Sequence, residues 1–371
     1  MKRGGIGKSG LSDVITTLII IGISIIAIGI VWVVINSILS GSSNQVNIDK
    51  LTVKLDVASA VMTPNGLEVL VKRNPGTGNI SNLALVVSDG VKSETFLMNQ
   101  TIEELQEKKF TLNYDGIIKK VDIAPFFSGQ SGTIIQGDIA DTLNFGPSQT
   151  VKNIPGLVSW YRMEGNAEDE MGLNDGSLSD PTPQLVNGKY GKAYRFFDIS
   201  NMIKAVDSQS LQLENSNMTI ITWINKTSPG GWAPIISKGD VRGHFEPGYF
   251  VGTTFVSSTK VKPWFGTPDF NVEPKYNITI KTWNHLTFSQ NVISPSRTLK
   301  IYNNGKLINQ TSRGSVTITS SVGYDFLIGI DTDVSLGAQY DSFDGTIDEV
   351  MIFNRTLTDS EIAGLYALEL S

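Results

Sequence analysis

The sequence predicts a mainly β protein in which one N-terminal transmembrane helix carries a small β-sandwich and then a larger one. Three observations lead there. No charged residue lies between Asp13 and Asp49, and within that gap Val14–Leu39 is almost continuously apolar. Beyond Ser40 the chain becomes short runs of alternating apolar and polar residues, the period of a strand with one buried face. None of the 371 residues is cysteine, so an extracellular chain of this kind must be held by packed cores, not by disulfides.

At a rise of 1.5 Å per residue the apolar run extends roughly 39 Å, enough to cross a bilayer with some tilt. Lys2, Arg3 and Lys8 precede it, which favours an internal N terminus and an external remainder. The run is too long for an ordinary signal-peptide core, and no small-x-small cleavage site follows it cleanly. The expected location is therefore the cell membrane, single-pass, with the C-terminal region outside. Lys8-Ser9-Gly10 followed by Leu11-Ser12-Asp13-Val14, together with Ile30–Ile35, resembles the N terminus of archaeal type IV pilins and archaellin-like proteins. That resemblance implies a class III signal peptide: a leader over 1–10, cut between Gly10 and Leu11, and a retained pilin-like helix over 11–40. Two positions depart from the family pattern. Lys8 lies three residues before the cut instead of two, and Asp13 stands where many relatives carry proline. The place of the bacterial-type glutamate is held by Ile15. The resemblance leaves two partners open, the lipid bilayer alone or other pilin-like subunits in a surface filament.

Residues 45–150 read as a small extracellular β domain. The segments LTVKLDVASAVM, LEVLVKRN and LALVVSDG are strand-like, and Thr63-Pro64-Asn65-Gly66 and Asn74-Pro75-Gly76 punctuate them as turns. Thr101–Lys109 is expected as a helical turn or a charged connection. No catalytic constellation falls here, and a spacer or assembly module is the expected role.

Ile154-Pro155-Gly156 opens a second domain over 154–371, dense in aromatic and β-branched strands. Asn303-Asn304-Gly305 between two strand-like runs predicts a hairpin, because Asn and Gly tolerate positive φ. Thr358-Asp359-Ser360-Glu361 predicts a capping box and a short helix whose apolar side covers the sandwich. The ordered landmarks Gly156–Tyr161, Asp175–Leu178, Gly188–Ala193, Ile220–Trp223, Trp232–Gly239, Trp283–His285, Leu299–Gly305 and Gly345–Val350 with Asn354–Leu357 and Glu361–Ile362 resemble the concanavalin A-like, laminin G-like jelly roll. The resemblance implies a jelly-roll β-sandwich and one structural Ca2+. Calcium takes several oxygen ligands, and Asp169, Asn174, Asp175 and Asp348, with Asp344 behind them, are the expected set.

Glucanases of this fold pair acidic residues on one strand, and retaining glycosidases hold two carboxyl groups about 5 to 5.5 Å apart. In this chain Thr346 and Val350 flank Asp348, and strict alternation sends Glu349 to the opposite face. The only histidines, His244 and His285, are far apart in sequence and no nucleophile motif accompanies them. The chain is therefore expected not to be an enzyme. A net charge of −6 disfavours nucleic-acid binding. Trp160, Trp223 and Trp283 are expected in the core, whereas Trp232, Tyr249 and Trp264, near loops, are the candidate ligand-binding residues. Sequons at Asn79, Asn99, Asn217, Asn225, Asn277, Asn309 and Asn354 are compatible with a glycosylated surface. The expected function is surface adhesion or recognition, with a glycan or a cell-surface protein as ligand. A structural filament or envelope subunit is the alternative, and a membrane-attached glycan hydrolase is a more distant one.

Overall fold

The computed structural model describes residues 53–63, 65–76, 80–90, 92–128, 134–239, 248–267, 270–272, 276–314, 317–331 and 342–368. The leader, the Gly10/Leu11 junction, the predicted helix over 11–40 and the Asn79 sequon lie outside them. Among the described residues no helix is long and apolar enough to cross a membrane. The chain divides into two compact units, one up to Asn144 and the other from Phe145.

The first unit contains β1 (Leu55–Thr63), β2 (Gly66–Arg73), β3 (Ile80–Ser88), β4 (Ser93–Met98), β5 (Glu107–Leu112), β6 (Lys120–Ser128), β7 (Ile134–Gln136) and β8 (Asp141–Asn144). They form a three-stranded sheet, β1-β2-β5, and a five-stranded sheet, β4-β3-β6-β7 with β8 also on β6. Alternation is plain in β1 and β2, where Leu55, Val57, Leu67, Val69 and Val71 are buried. The charged segment 101–109 is a turn that enters β5 at Glu107.

The second unit begins with α1 (Pro147–Lys152), followed by β9 (Leu157–Tyr161), β10 (Gly176–Leu178), β11 (Gln184–Asn187), β12 (Lys192–Phe196) and β13 (Ile203–Ala205). Next come β14 (Met218–Lys226), β15 (Ala233–Gly239), β16 (Gly248–Ser257), β17 (Lys260–Thr267), β18 (Phe270–Val272) and β19 (Ile278–Thr279). The chain closes with β20 (Asn284–Ile293), β21 (Ser296–Asn303), β22 (Lys306–Gly314), β23 (Phe326–Ile328), β24 (Gly345–Phe353) and α2 (Asp359–Tyr366). One eight-stranded sheet runs β10-β13-β23-β15-β16-β17-β18 with β19 on β17; the other runs β11-β12-β24-β14-β20-β21-β22 with β9 on β24. Their facing sides supply one core, in which Tyr161, Phe196, Ile220, Ile236, Tyr249, Phe265, Phe288, Phe326 and Ile352 are buried.

The predicted hairpin joins β21 to β22 through Asn304 (φ 51°) and Gly305 (φ 73°), the left-handed pair that a two-residue turn requires. The predicted capping box is also present. Thr358 Oγ1 accepts from Glu361 N, and the Glu361 carboxylate accepts from Thr358 N. Trp160 and Trp223 are buried as expected, but outside the core between the sheets, and Trp283 is only half-buried.

Candidate functional site

Strand alternation decides which aromatic side chains reach the outer face of the β15–β16–β17 sheet. On β16, Tyr249 and Val251 enter the core, so Phe250 and Gly252 face outward; on β17, Val261 and Phe265 enter, so Trp264 faces outward. Register sets Phe250 opposite Gly266 and Gly252 opposite Trp264. Each ring therefore lies across from a residue without a side chain. Phe250 and Trp264 stack diagonally over this gap, with centroids 4.1 Å apart and planes 15° from parallel. Trp232, just before β15, stands nearly perpendicular to both, at 4.9 Å from Trp264 and 5.5 Å from Phe250. Its ring passes over Gly252, where a Cβ would meet the indole at 3.1 Å. The indole N–H donates to Asp331 Oδ2 at 3.1 Å, which fixes the orientation of the ring. The result is an aromatic corner whose Trp232 and Trp264 are half-buried, a surface suited to the apolar face of a ring-shaped ligand.

Two of the three expected ligand-binding residues thus meet. Tyr249 does not join them. It is fully buried, its hydroxyl donates to the Leu211 carbonyl at 2.9 Å, and burial pushes its pKa well above the ordinary phenol value. Phe250 takes the place expected of Tyr249. Adjacent residues on a strand cannot share a face, and the available signal was the core-like spacing of Tyr249 with Val251.

The expected calcium ligands do not form one oxygen cage. Asp169 Oδ1 accepts from Trp160 N (2.8 Å) and Met171 N (3.0 Å), while Oδ2 accepts from Leu173 N (3.2 Å) and Asn174 N (3.0 Å). A carboxylate has about four lone-pair sites, and here backbone N–H groups take all of them. Asp175 Oδ1 accepts from Asp169 N, and Asn174 bridges Ser159 and Ser210. These three residues tie the 169–175 loop to itself and to Ser159, Trp160 and Ser210. Asp348 serves the 188–191 turn instead, its Oδ2 accepting from Lys189 N (2.7 Å) and Tyr190 N (3.1 Å). Asp344 lies near the Lys226 ammonium, and its carbonyl accepts from Thr227 N. Among the described residues, no group of three or more His, Asp or Glu side chains is placed to hold a metal ion.

Glu349 departs from strict alternation. A β-bulge sets Ile221 opposite Met351 but Trp223 opposite Asp348, and Glu349 occupies it at φ 52°. Its carboxylate accepts from the Trp160 indole N–H and lies 3.6 Å from Arg162 Nε. Asp348 and Glu349 are both fully buried. Burial pushes the Asp348 carboxyl up to about 7, with nearby Glu164 adding to the shift. Burial, then the charge of Asp348, pushes Glu349 up to about 8. Trp160 and Arg162 both lie against the Glu349 carboxylate, while Asp348 is held by the backbone of the 188–191 turn. Of the described sequon residues, Asn99, Asn217, Asn277 and Asn354 are exposed, while Asn225 and Asn309 are half-buried. The Asn217 side chain is engaged, accepting from Val292 N at 2.7 Å.

Residues 200–363 match the family model for the concanavalin A-like lectin/glucanases superfamily, Laminin_G_3. The C-terminal part of the chain thus carries a concanavalin A-like jelly-roll domain. Among solved structures, the chain is similar to domain 4 of AbnA, a GH43 extracellular arabinanase from Geobacillus stearothermophilus, in complex with arabinotriose. Identity is 19%, coverage 57% of this chain and 98% of that one, and the TM-score 0.43. It is also similar to the binding domain of Paraclostridial Mosquitocidal Protein 1 (15% identity, 57% and 52% coverage, TM-score 0.43). A third likeness is to the botulinum neurotoxin serotype G binding domain (15% identity, 57% and 50% coverage, TM-score 0.41). The chain spans about half the length of these two toxin domains. No curated protein matches the chain.

Proposed function

We propose that this chain is a membrane-anchored archaeal surface protein for adhesion or recognition, whose C-terminal domain binds a glycan and which has no catalytic activity of its own. The observation that carries the reading is the corner of Trp232, Phe250 and Trp264 on the outer face of a lectin-type sheet. The apolar run Val14–Leu39 supports the anchor, and the Gly10–Leu11 junction supports pilin-class processing. The pairing at the buried acids favours binding over hydrolysis. Asp348 and Glu349 are occupied by the 188–191 turn and by Trp160, so neither is presented to a glycosidic bond.

The test is binding of the full-length chain, in detergent, to whole cells and to a panel of immobilised glycans, with Trp264→Ala as the variant. A central tryptophan at such a contact is worth roughly tenfold or more in affinity, and Trp264→Ala should lose that much. Failure of the wild-type chain to bind any cell or glycan would favour a filament or envelope subunit. Release of sugar from the panel would restore the hydrolase reading.

A further inference from the structure

Seven Asn-x-Ser/Thr sequons are spread along the chain, five of them in the C-terminal unit. An acceptor sequon sits in a surface loop, with its Asn amide and the hydroxyl two residues on both open to a transferase. Asn217 does not meet that condition, because its Oδ1 accepts from Val292 N and the buried Thr219 hydroxyl donates to the Arg355 carbonyl at 2.9 Å. Asn354 is exposed, but the Thr356 hydroxyl donates to the Gln290 carbonyl at 2.8 Å. Asn225 and Asn309 lie half-buried within β14 and β22, paired with Thr346 and Ile301. Asn277 differs from all four. It stands just ahead of β19, and both it and Thr279 are exposed while Ile278 between them enters the core. Alternation therefore turns the amide and the hydroxyl outward together.

The same register sets Asn277 beside the aromatic corner. Ile278 pairs with Val261 of β17, so Asn277 falls on the Trp264 side of that pair. Val261 and Phe265 enter the core, which leaves Trp264 on the same outer face as Asn277. One same-face step along β17 is about 7 Å and the strand spacing about 5 Å, which puts the two backbones about 9 Å apart.

We propose that Asn277 carries an N-linked glycan whose first sugars lie over the corner and compete with external ligands for Trp264. In the transfer, the sugar comes from a lipid-linked phosphate. The anomeric C–O bond breaks and the phosphate keeps its electron pair, while the Asn277 amide nitrogen forms the new C–N bond and gives up one proton. The inference rests on the glycan-binding reading above and adds a modification that regulates the same site. A sugar on so short a tether acts at millimolar effective concentration, enough to rival a weak ligand arriving from solution.

The full-length chain is isolated from the membrane of its own cells as wild type, Asn277→Gln, Thr279→Ala, Thr279→Ser and Trp264→Ala. Peptide mass spectrometry reads the modification, and binding to the immobilised glycan panel reads its effect. The Asn277 peptide should carry a glycan in wild type, Thr279→Ser and Trp264→Ala, whereas Asn277→Gln and Thr279→Ala should lack it. A tethered sugar that fills the corner half of the time halves the apparent affinity. The two variants without the sequon should therefore bind about twofold tighter or more, and Thr279→Ser should match wild type. Trp264→Ala should bind poorly with its glycan intact. A bare Asn277 in wild type overturns the proposal outright. A glycan whose loss leaves panel binding unchanged overturns the competition and leaves glycan recognition standing. No binding by any variant, Asn277→Gln included, overturns the competition and the glycan-binding reading together.

Discussion

Lys238, on β15, should be the most costly single charge to remove from the C-terminal unit. It is fully buried, and its ammonium donates to Asp207 Oδ1 and to the Tyr324 carbonyl, both at 2.6 Å. Asp207 Oδ2 also accepts from Gly323 N and Gln212 Nε2. Burial alone would raise the Asp207 carboxyl, but the Lys238, Gly323 and Gln212 donors outweigh it and hold the group at about 2. Lys238→Met keeps most of the side-chain volume and removes only the ammonium. The charge-assisted bond is worth about 1.5–3 kcal/mol, and the Tyr324 carbonyl left without this donor costs about 1–3 kcal/mol more. Relief of the buried ammonium's desolvation offsets part of the sum. Asp207 keeps two other donors and is about a fifth exposed (21%), which places the net loss toward the lower end of the range for breaking a buried pair, about 3 kcal/mol. For a unit of residues 145–371 that is a fall of roughly 6–12 °C in melting temperature. The assay is thermal unfolding of wild type, Lys238→Met and Lys204→Met, the last removing a largely exposed partner of Asp325 as a control. A Lys238→Met melt within about 0.5 kcal/mol of wild type would show that desolvation already cancels the pair, and the reasoning would fail.

Two further predictions concern the buried acids and the N terminus. Burial holds Asp348 up to about 7 and Glu349 up to about 8, so between about pH 4 and those values the folded chain binds protons that the unfolded chain has released. Their contribution to stability is therefore fully present below about pH 4 and lost as pH rises through about 7 to 8, a change on the order of 4 kcal/mol for one such group. Glu349→Gln, which can still accept from the Trp160 indole, should flatten the decline in melting temperature between pH 5 and pH 9; an unchanged slope would refute the assignment. For the N terminus, mass spectrometry of the native chain from a membrane or surface fraction should find Leu11 as the first residue. A retained segment 1–10 would instead leave a conventional single-span anchor.

The sequence could be read where the decisive information is local. The Asn304–Gly305 turn and the Thr358–Glu361 box are fixed by residues within three positions of each other, and both stand as expected. Alternation likewise identified the strands that bury Ile220, Ile224, Leu286 and Phe288. What could not be read depends on the neighbouring strand. Alternation says that Tyr249 and Phe250 face opposite ways, but only the place of β16 in its sheet decides which is inside. Glu349 was assigned to the wrong face because the bulge opposite Thr222 adds a residue that no pattern along β24 reveals. An acidic residue in a Gly- and Asn-rich loop, such as Asp169, suits a metal ligand or a loop staple, and the pattern along the chain does not choose between them. The four backbone donors of Asp169 come partly from Trp160, on a strand that precedes the loop.

The two outer faces explain why a count of tryptophans does not locate the site. On the β24–β14–β20 side, Trp223 and His285 pack with centroids 5.0 Å apart, and Tyr366 of α2 stacks on Trp223 at 5.8 Å. Tyr302 adds a hydroxyl donated to Asp359 at the start of the same helix. Lys189 lies 4.7 Å over the Trp223 ring, and Tyr190 meets that ring edge-on. Burial pushes His285 down to about 3, so the imidazole is neutral at physiological pH. A ligand reaching Trp223 would have to displace a helix that is capped at Thr358 and tied by the Arg355–Glu361 ion pair. On the β15–β16–β17 side, the rings pack on one another and Trp232 and Trp264 remain half-buried. Both faces bear aromatic clusters, but the first already has its partner in the chain's own C-terminal helix. Trp223 is covered by Tyr366 of that helix, whereas Trp264 is half-buried in the described structure, which is why Trp264 is the better candidate for ligand contact.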